Sequence, residues 1–175
     1  VQAPAGSIVV LDPRSGAVLA MASYPTYNPE EFVNGISQAR YAALTGGAES
    51  DNPLINRAIQ GMYAPGSTFK PITAYAALAS GLISAGTTYN DRGSYNVGDR
   101  IFGSPGAAGV VDVRRSLTKS SDVFYYWIGH RFWLERETYG DGVQAAAAAF
   151  GLGSPTEIPI PGERAGLVPT PELKA

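Results

Sequence analysis

The chain has 175 residues, of which 45% are hydrophobic and 16% charged, so it can bury the core of roughly one domain and is not a disordered tail. Its formal net charge of −2, without a run of Lys or Arg, argues against a nucleic-acid partner. The absence of cysteine and the single histidine, His130, exclude a disulfide scaffold and thiolate zinc sites. We therefore expect neither a metal nor a cofactor.

The N-terminal part of the sequence predicts a β-hairpin. Residues 7–11 and 17–23 are small, β-branched and apolar, and turn-forming residues separate them at 12–16. Prolines then interrupt the pattern, and a short helical piece is predicted at about residues 30–35. Residues 45–53 are predicted to form a loop.

A helix is predicted over residues 67–80, and Gly81 follows where a C-terminal cap is expected. Its apolar face comprises Phe69, Ile72, Thr73, Ala76, Ala77 and Leu78. Proline is tolerated only in the first turn of a helix, so Pro71 places the start of this helix close to Ser67. The Ser67 hydroxyl is therefore expected at the N-terminus of the helix.

The C-terminal half is predicted to contain a small hairpin and three further helices. Residues 93–102 are rich in Tyr and Gly and predict the hairpin. Asp112 is expected to cap a short helix and Asp122 a second, apolar one. A third helix is predicted at residues 145–150, and the proline-rich tail, 154–171, is expected to be extended or looped.

The segment from Ser67 to Lys70 has a pattern that suits nucleophilic catalysis. Positions i and i+3 share a helix face, so the serine hydroxyl and the lysine amine can meet. A serine becomes a good nucleophile only when a nearby base accepts its proton, and a lysine can be that base in a suitable environment. The helix N-terminus also favours negative charge, which would stabilise a developing oxyanion.

The same Ser-x-x-Lys spacing recurs at Ser116 and Lys119, where a chance match is expected because the pattern is short. Lys119 also begins a second polar cluster with Ser120 and Asp122, immediately before the apolar helix. Asp122 can be explained as a helix cap, but Ser120 could relay a proton and Asp122 could contact a substrate. His130 is expected to be structural or at the surface, since it lies in the middle of a predicted helix.

Several segments together resemble the transpeptidase domain of class B penicillin-binding proteins. Residues 52–61 (NPLINRAIQG) and 63–71 (YAPGSTFKP) resemble the acylation segment of that family. Residues 6–23, with an Asp-Pro-x-Ser-Gly turn, are similar to its opening hairpin, and residues 22–32 (ASYPTYNPEEF) to the segment after that hairpin. Residues 151–171 (GLGSPTEIPIPGERAGLVPTP) resemble the stretch after the second motif. The resemblance implies a mixed α/β (α+β) fold with helices packed around a central antiparallel sheet.

The resemblance also implies roles for individual residues. Ser67 would attack the carbonyl between the two D-alanines of a peptidoglycan stem peptide and form an acyl-enzyme, with Lys70 as base. Ser120 would match the serine of the Ser-x-Asn motif, and Asp122 would take the substrate-binding place of its asparagine. Asp at this position resembles the elongation-type penicillin-binding protein 2 branch, which acts in cell shape. Beta-lactams would imitate the D-Ala-D-Ala end and block Ser67.

The third motif of that family, Lys-Thr/Ser-Gly, is absent from the sequence. The lysines are Lys70, Lys119 and Lys174, and none begins this motif. We therefore expect residues 1–175 to be the N-terminal and central part of a transpeptidase domain, inactive or poorly active alone, without the C-terminal strands that carry the motif. Val1 is not a start residue, which also indicates an excerpt of a longer protein.

No stretch of about 20 apolar residues or export signal is found, so a membrane anchor is expected outside the segment. The resemblance implies a catalytic domain on the extracytoplasmic side of a bacterial membrane, with a membrane glycosyltransferase as partner. Two alternatives to the transpeptidase stay open: a hydrolase, either a D,D-carboxypeptidase or a beta-lactamase, and a non-catalytic beta-lactam sensor or scaffold. The rate of deacylation distinguishes the hydrolases.

Overall fold

The structure is a computed structural model that describes residues 3–46 and 52–174. The chain divides into two compact units. The first comprises the described residues of Val1–Tyr63 together with Glu157–Arg164, and the second comprises Ala64–Thr156 and the described residues of Ala165–Ala175.

The first unit opens with the predicted hairpin. Strand β1 (Gly6–Leu11) pairs antiparallel with β2 (Val18–Tyr24), and Ile8 lies opposite Ala22. The connecting turn is held by Asp12, whose carboxylate accepts hydrogen bonds from the backbone N–H of Arg14 and the hydroxyl of Ser15. These local bonds explain why the turn could be predicted from its residue types.

A 3₁₀ turn at Pro29–Phe32 confirms the short helical piece predicted near residue 30. Helix α1 (Gln38–Thr45) was not predicted, because Leu44 is the one residue that it buries and a single apolar position gives no periodic signal. Thr45, expected in a loop, ends this helix, and most of the predicted loop lies outside the described residues. A short helix, α2 (Arg57–Gln60), completes the unit.

The second unit begins with the segment that contains Ser67. A 3₁₀ turn, Gly66–Phe69, leads directly into helix α3 (Lys70–Ala79), which has Pro71 in its first turn as predicted. The helical segment predicted over residues 67–80 is thus confirmed, but its α-helical part begins at Lys70. Proline lacks an N–H that a helix interior would use, and this restricts the α-helix to a start just before Pro71.

The strands of the second unit form two separate pairs. Strand β3 (Tyr89–Asp91) pairs with β6 (Gly109–Val111), and between them β4 (Ser94–Val97) pairs with β5 (Arg100–Gly103). The β4–β5 pair confirms the hairpin predicted at residues 93–102. With β1–β2, the described residues contain three two-stranded antiparallel sheets together with helices, in agreement with the predicted mixed fold class.

Four helices complete the second unit: α4 (Val113–Lys119), α5 (Asp122–Leu134), α6 (Arg136–Tyr139) and α7 (Gly142–Ala149). Asp112 caps α4 as predicted, since its carboxylate accepts the N–H of Arg115 at 2.7 Å. The predicted cap of α5 is wrong. Ser121 has extended backbone and its Oγ accepts the N–H of Phe124 at 3.2 Å, whereas Asp122 is already helical.

The core of the second unit is built around α5. Phe124, Ile128 and Val111 are completely buried, and they pack with small alanines of α3 and α7. Residues 154–170 contain neither helix nor strand, as predicted for the proline-rich tail, whereas Pro171, the last residue of that prediction, begins a 3₁₀ turn, Pro171–Lys174. No helix within the described parts of the chain is long and apolar enough to cross a membrane.

Candidate active site

Ser67 lies in the 3₁₀ turn that precedes α3, and it is exposed. The turn requires Gly66, whose φ of +55° is in the left-handed region that residues with a side chain rarely adopt. Thr68 stabilises the same turn, because its hydroxyl donates to the carbonyl of Pro65 at 2.6 Å. The local sequence therefore presents the Ser67 hydroxyl to solvent in a fixed turn.

Lys70, at the first position of α3, is buried with 8% of its surface exposed. Its Nζ donates to the Ser120 carbonyl at 2.6 Å, to Ser120 Oγ at 3.0 Å and to Asp122 Oδ1 at 2.6 Å. Three acceptors match the three N–H donors of an ammonium group, so the charged end of the side chain is fully hydrogen-bonded. The Tyr125 ring lies beside it, with its centroid 5.7 Å from Nζ.

Ser120 connects the nucleophile candidate to the lysine. It lies between α4 and α5 in a left-handed backbone conformation, with φ of 52°. Its Oγ donates to Ser67 Oγ at 3.0 Å and accepts from Lys70 Nζ. The hydrogen bonds of the described residues join Ser67 to Lys70 through Ser120 and not directly. The lysine amine lies at the α4–α5 junction because it also donates to the Ser120 carbonyl and to Asp122.

Asp122 was predicted to contact substrate, and the structure places it beside the lysine. The Asp122–Lys70 ion pair has an N–O distance of 2.6 Å, with 28% of the Asp122 side chain and 10% of the Lys70 side chain exposed. An ionised carboxylate only accepts hydrogen bonds, so here it acts as the counter-ion of a nearly buried ammonium. Because Ser121 caps the helix, the Asp122 side chain is available for this contact.

A cleft of about 420 Å³ opens at these residues. Its wall includes the loop that connects β5 to β6 and the junction between α4 and α5. The lining residues are Ser67, Asp91, Ser104, Pro105, Gly106, Ala107, Ala108, Lys119, Ser120, Ser121 and Asp122. The arrangement thus offers an exposed hydroxyl at a cleft, joined by one serine to a lysine, which is suited to acyl transfer through the Ser67 oxygen.

Three further residues belong to this neighbourhood, and the sequence predicted no role for them: Asp91, Ser121 and Tyr125. Asp91 and Ser121 are 1% and 2% exposed, and the Ser121 hydroxyl donates to Asp91. Burial raises the pKa of the Tyr125 hydroxyl, which keeps the phenol neutral beside Lys70. A short Asn-Asp pair before a glycine-rich hairpin gives no signal of burial, so Asp91 could not be found from sequence. Ser121 alone had a signal, because serine is a preferred helix cap.

The remaining chemical candidates lie apart from this arrangement or have other partners. Ser116 is fully buried, and its Oγ donates to the Val113 carbonyl and bonds Tyr125 Oη, so it has a structural role. Lys119 is exposed at the rim of the cleft. His130 forms a 2.9 Å hydrogen bond through Nδ1 with Tyr95. The described residues contain no cluster of three or more His, Cys, Asp or Glu that could hold a metal ion.

Comparison with known proteins places this geometry in a family. Residues 6–174 match the model of the penicillin binding protein transpeptidase domain. The chain is 38% identical to the peptidoglycan D,D-transpeptidase MrdA of Escherichia coli K12, over 96% of this chain and 26% of that protein. The chain thus spans about a quarter of the length of this curated relative.

Solved structures give the same relationship. The chain superposes on Pseudomonas aeruginosa PBP2, solved in complex with WCK 5153, with a TM-score of 0.84 and 34% identity, covering 97% of this chain and 38% of that one. It superposes equally well on Helicobacter pylori PBP2, solved with MreC, with a TM-score of 0.84 and 30% identity over 97% and 31% of the two chains. The chain belongs to the penicillin binding protein transpeptidase domain family.

Proposed function

We propose that this chain supplies the acylation site of a peptidoglycan D,D-transpeptidase, in which Ser67 is the nucleophile and Lys70 the base. The observation that supports this most directly is the continuous hydrogen-bond chain from Ser67 Oγ through Ser120 Oγ to Lys70 Nζ at the cleft. Family membership supports the same reaction class. Ser120 is the proton relay in this proposal.

In the proposed reaction, Ser67 Oγ attacks the carbonyl carbon between the two D-alanines of a stem peptide. In the structure, Lys70 Nζ donates to Ser120 Oγ and Ser120 Oγ donates to Ser67 Oγ. The reaction begins once the lysine has released one proton, so that both bonds can reverse direction. As the new C–O bond forms, the Ser67 proton passes to Ser120 Oγ while the Ser120 proton passes to the neutral amine of Lys70. The peptide C–N bond then breaks, and the departing D-alanine takes up a proton from the lysine at its amino group. An amine of a neighbouring stem peptide attacks the ester, which forms the crosslink and restores the Ser67 hydroxyl.

Asp122 has a different role in this proposal from the substrate contact expected from sequence. Its carboxylate pairs with Lys70 at 2.6 Å and therefore sets the position of the base. Because 28% of its side chain stays exposed at the cleft, it can also accept a hydrogen bond from a substrate N–H. Positioning the base is its primary role, and the substrate contact is secondary.

Residues 1–175 are, in the same proposal, the N-terminal and central part of the domain, and strands with a Lys-Thr/Ser-Gly motif complete the cleft. Arg14-Ser15-Gly16 resembles the motif, but it forms the turn between β1 and β2. The chain's similarity to MrdA and PBP2 proteins supports a role in cell shape at the extracytoplasmic face of a bacterial membrane.

The proposed partners are suggested by the same relatives. Helicobacter pylori PBP2 was solved with MreC, which supports an assembly with an MreC-like protein for the protein that contains this chain. A membrane glycosyltransferase that makes the glycan strands is the partner that crosslinking chemistry needs. Beta-lactams are the proposed inhibitors, because they would acylate Ser67 and leave it unavailable to the stem peptide.

The test is intact-mass spectrometry after penicillin treatment, with the chain continued to its natural C-terminus. We expect one long-lived adduct, which Ser67→Ala abolishes. Ser116→Ala is the matched control, because it removes the serine of the other Ser-x-x-Lys pattern, and it should keep the adduct. Rapid loss of the adduct with release of penicilloate would favour a beta-lactamase. No adduct in the unmodified protein would overturn the acylation proposal.

A further inference from the structure

A buried carboxylate lies in the wall of the cleft, and the reaction proposed above does not use it. Asp91 ends strand β3, and only 1% of its surface is exposed. Its Oδ1 accepts the backbone N–H of Gly93 at 2.8 Å, and its Oδ2 accepts the hydroxyl of Ser121 at 2.5 Å. Burying a carboxylate is unfavourable unless hydrogen bonds compensate for lost water, so these two bonds hold Asp91 in one orientation.

Ser121 transmits this constraint to the start of α5. Its Oγ donates to Asp91 and accepts the N–H of Phe124 at 3.2 Å, and its own N–H donates to the Ser116 carbonyl at 2.9 Å. Because the hydroxyl hydrogen is committed to Asp91, an oxygen lone pair is left aimed at Phe124. Asp91 therefore fixes the rotamer in which Ser121 caps the helix.

The residue before Ser121 is the proposed proton relay. Ser120 has a left-handed backbone, with φ of 52° and ψ of 41°, a conformation that is unfavourable for a serine and persists only when its surroundings hold it. The Ser120 N–H donates to the Leu117 carbonyl at 3.1 Å, which fixes the peptide on the α4 side of Ser120. The peptide on the α5 side of Ser120 is fixed by the hydrogen bonds of Ser121.

The peptide group between these two serines contacts the proposed base directly. Its carbonyl, the Ser120 oxygen, accepts from Lys70 Nζ at 2.6 Å, and the Ser120 side chain bonds both Lys70 and Ser67. A rotation of this peptide would therefore displace the relay oxygen and one acceptor of the lysine together.

We infer that Asp91 is a positioning residue for acylation: through Ser121 it holds the Ser120 peptide in the strained geometry that aligns the relay with Ser67 and Lys70. This inference rests on the function proposed above. It assigns Asp91 no contact with the reacting atoms.

The test is Asp91→Asn in the protein continued to its natural C-terminus, with stopped-flow acylation by a fluorescent penicillin. Asparagine keeps the shape but has a single acceptor oxygen, so whichever way its amide turns, either the Ser121 hydroxyl or the Gly93 N–H faces an NH₂ group, and the two-bond hold on this side chain is lost. We expect the acylation rate constant to fall about tenfold while the non-covalent dissociation constant stays unchanged. Asp112→Asn is the matched control, because Asp112 caps α4 through Arg115, and it should keep the wild-type rate constant.

A double-mutant cycle separates this role from general weakening of the fold. If Asp91 acts through Ser121, then Asp91→Asn added to Ser121→Ala lowers the rate constant no further than Ser121→Ala alone. Two results would overturn the inference and leave the proposed function intact. One is a double variant whose rate constant is lowered by the product of the two single effects, and the other is a normal rate constant in Asp91→Asn. Absence of acylation in the wild-type protein would instead overturn the proposed function and this inference with it.

Discussion

The Oγ atoms of Ser67 and Ser120 lie 3.0 Å apart, although 53 positions separate the two serines in the chain. The contact exists because a 3₁₀ turn presents Ser67 and the α4–α5 junction presents Ser120. The turn depends on Gly66 and the junction on the left-handed backbone of Ser120. The relay therefore depends on local chain geometry as much as on the side chains.

Replacement of Ser120 by alanine removes the relay oxygen and one acceptor of Lys70. We expect Ser120→Ala to keep acylation at Ser67 but to slow it by about 100-fold, the usual contribution of a positioned proton-transfer group. The measurement is the second-order rate constant with a fluorescent penicillin. A rate constant equal to that of the wild type would mean that Ser67 transfers its proton to Lys70 directly.

The ion pair between Asp122 and Lys70 makes a prediction about stability. Asp122→Ala removes both the counter-ion and one of the three hydrogen-bond acceptors of a nearly buried ammonium, and we expect the free energy of unfolding to fall by about 1–3 kcal/mol. Asp122→Asn keeps an acceptor oxygen for Lys70 and should lose less than about 1 kcal/mol. Urea unfolding followed by tryptophan fluorescence measures both. Equal losses in the two variants would show that the charge of Asp122, and not its hydrogen bond, stabilises the lysine.

Much of the fold could be predicted because its signals are local. The β1–β2 hairpin has turn residues in its connection, Pro71 limits the start of α3, and Asp112 caps α4 through a bond to a residue three positions away. Helices α1 and α6 could not be predicted, since α1 buries one residue and α6 buries none. The β3–β6 pair also left no signal, because it joins two three-residue strands distant in sequence.

The site was predictable to the extent that the family motifs name its residues. Ser67, Lys70, Ser120 and Asp122 are all brought together, as expected. Their connections were not predictable, because they depend on tertiary packing. Asp122 was assigned the helix cap that belongs to Ser121, since Ser and Asp are both good caps and only the backbone angles decide between them. The place of Asp91 behind Ser121 likewise depends on a fold-level contact.

The raised pKa of Tyr125 predicts a lower free energy of unfolding in alkaline solution. Burial raises the pKa of its hydroxyl above the ordinary value of 10.0, only partly offset by the hydrogen bond to Ser116. An unfolded chain releases this proton near the ordinary pKa while the folded protein retains it. The free energy of unfolding therefore falls as the pH rises from the ordinary pKa through the raised one.

We expect Tyr125→Phe to show a smaller alkaline loss than the wild type, because phenylalanine has no proton to release. Urea unfolding at about pH 9 and about pH 11 measures the difference. Ser116→Ala is the control, because it leaves the phenol and removes the hydrogen bond that lowers the Tyr125 pKa, so its alkaline loss should be at least as large as that of the wild type. An identical alkaline loss in Tyr125→Phe and wild type would assign the effect to other groups, including Tyr95, whose pKa burial also raises.

Helix α5 offers a matched pair of aromatic residues that tests how the site is supported. Phe124 is completely buried, and its ring centroid lies 5.5 Å from those of Tyr125 and Trp127. Trp133, nine positions later on the same helix, is 64% exposed. We expect Phe124→Ala to lower the free energy of unfolding by about 3–5 kcal/mol, because it leaves a cavity in the core. Trp133→Ala should change it by less than about 0.5 kcal/mol.

Phe124→Ala and Trp133→Ala also test whether the packing of α5 supports the acylation site. The Phe124 backbone N–H is the group that Ser121 caps, so a shift of the first turn of α5 moves Ser121 and Asp122 with it. Phe124→Ala should therefore slow acylation by a fluorescent penicillin even at a temperature where the variant stays folded by circular dichroism. Trp133→Ala should acylate at the wild-type rate. If folded Phe124→Ala also acylates at that rate, the α4–α5 junction keeps its geometry without the packing of the helix beneath it.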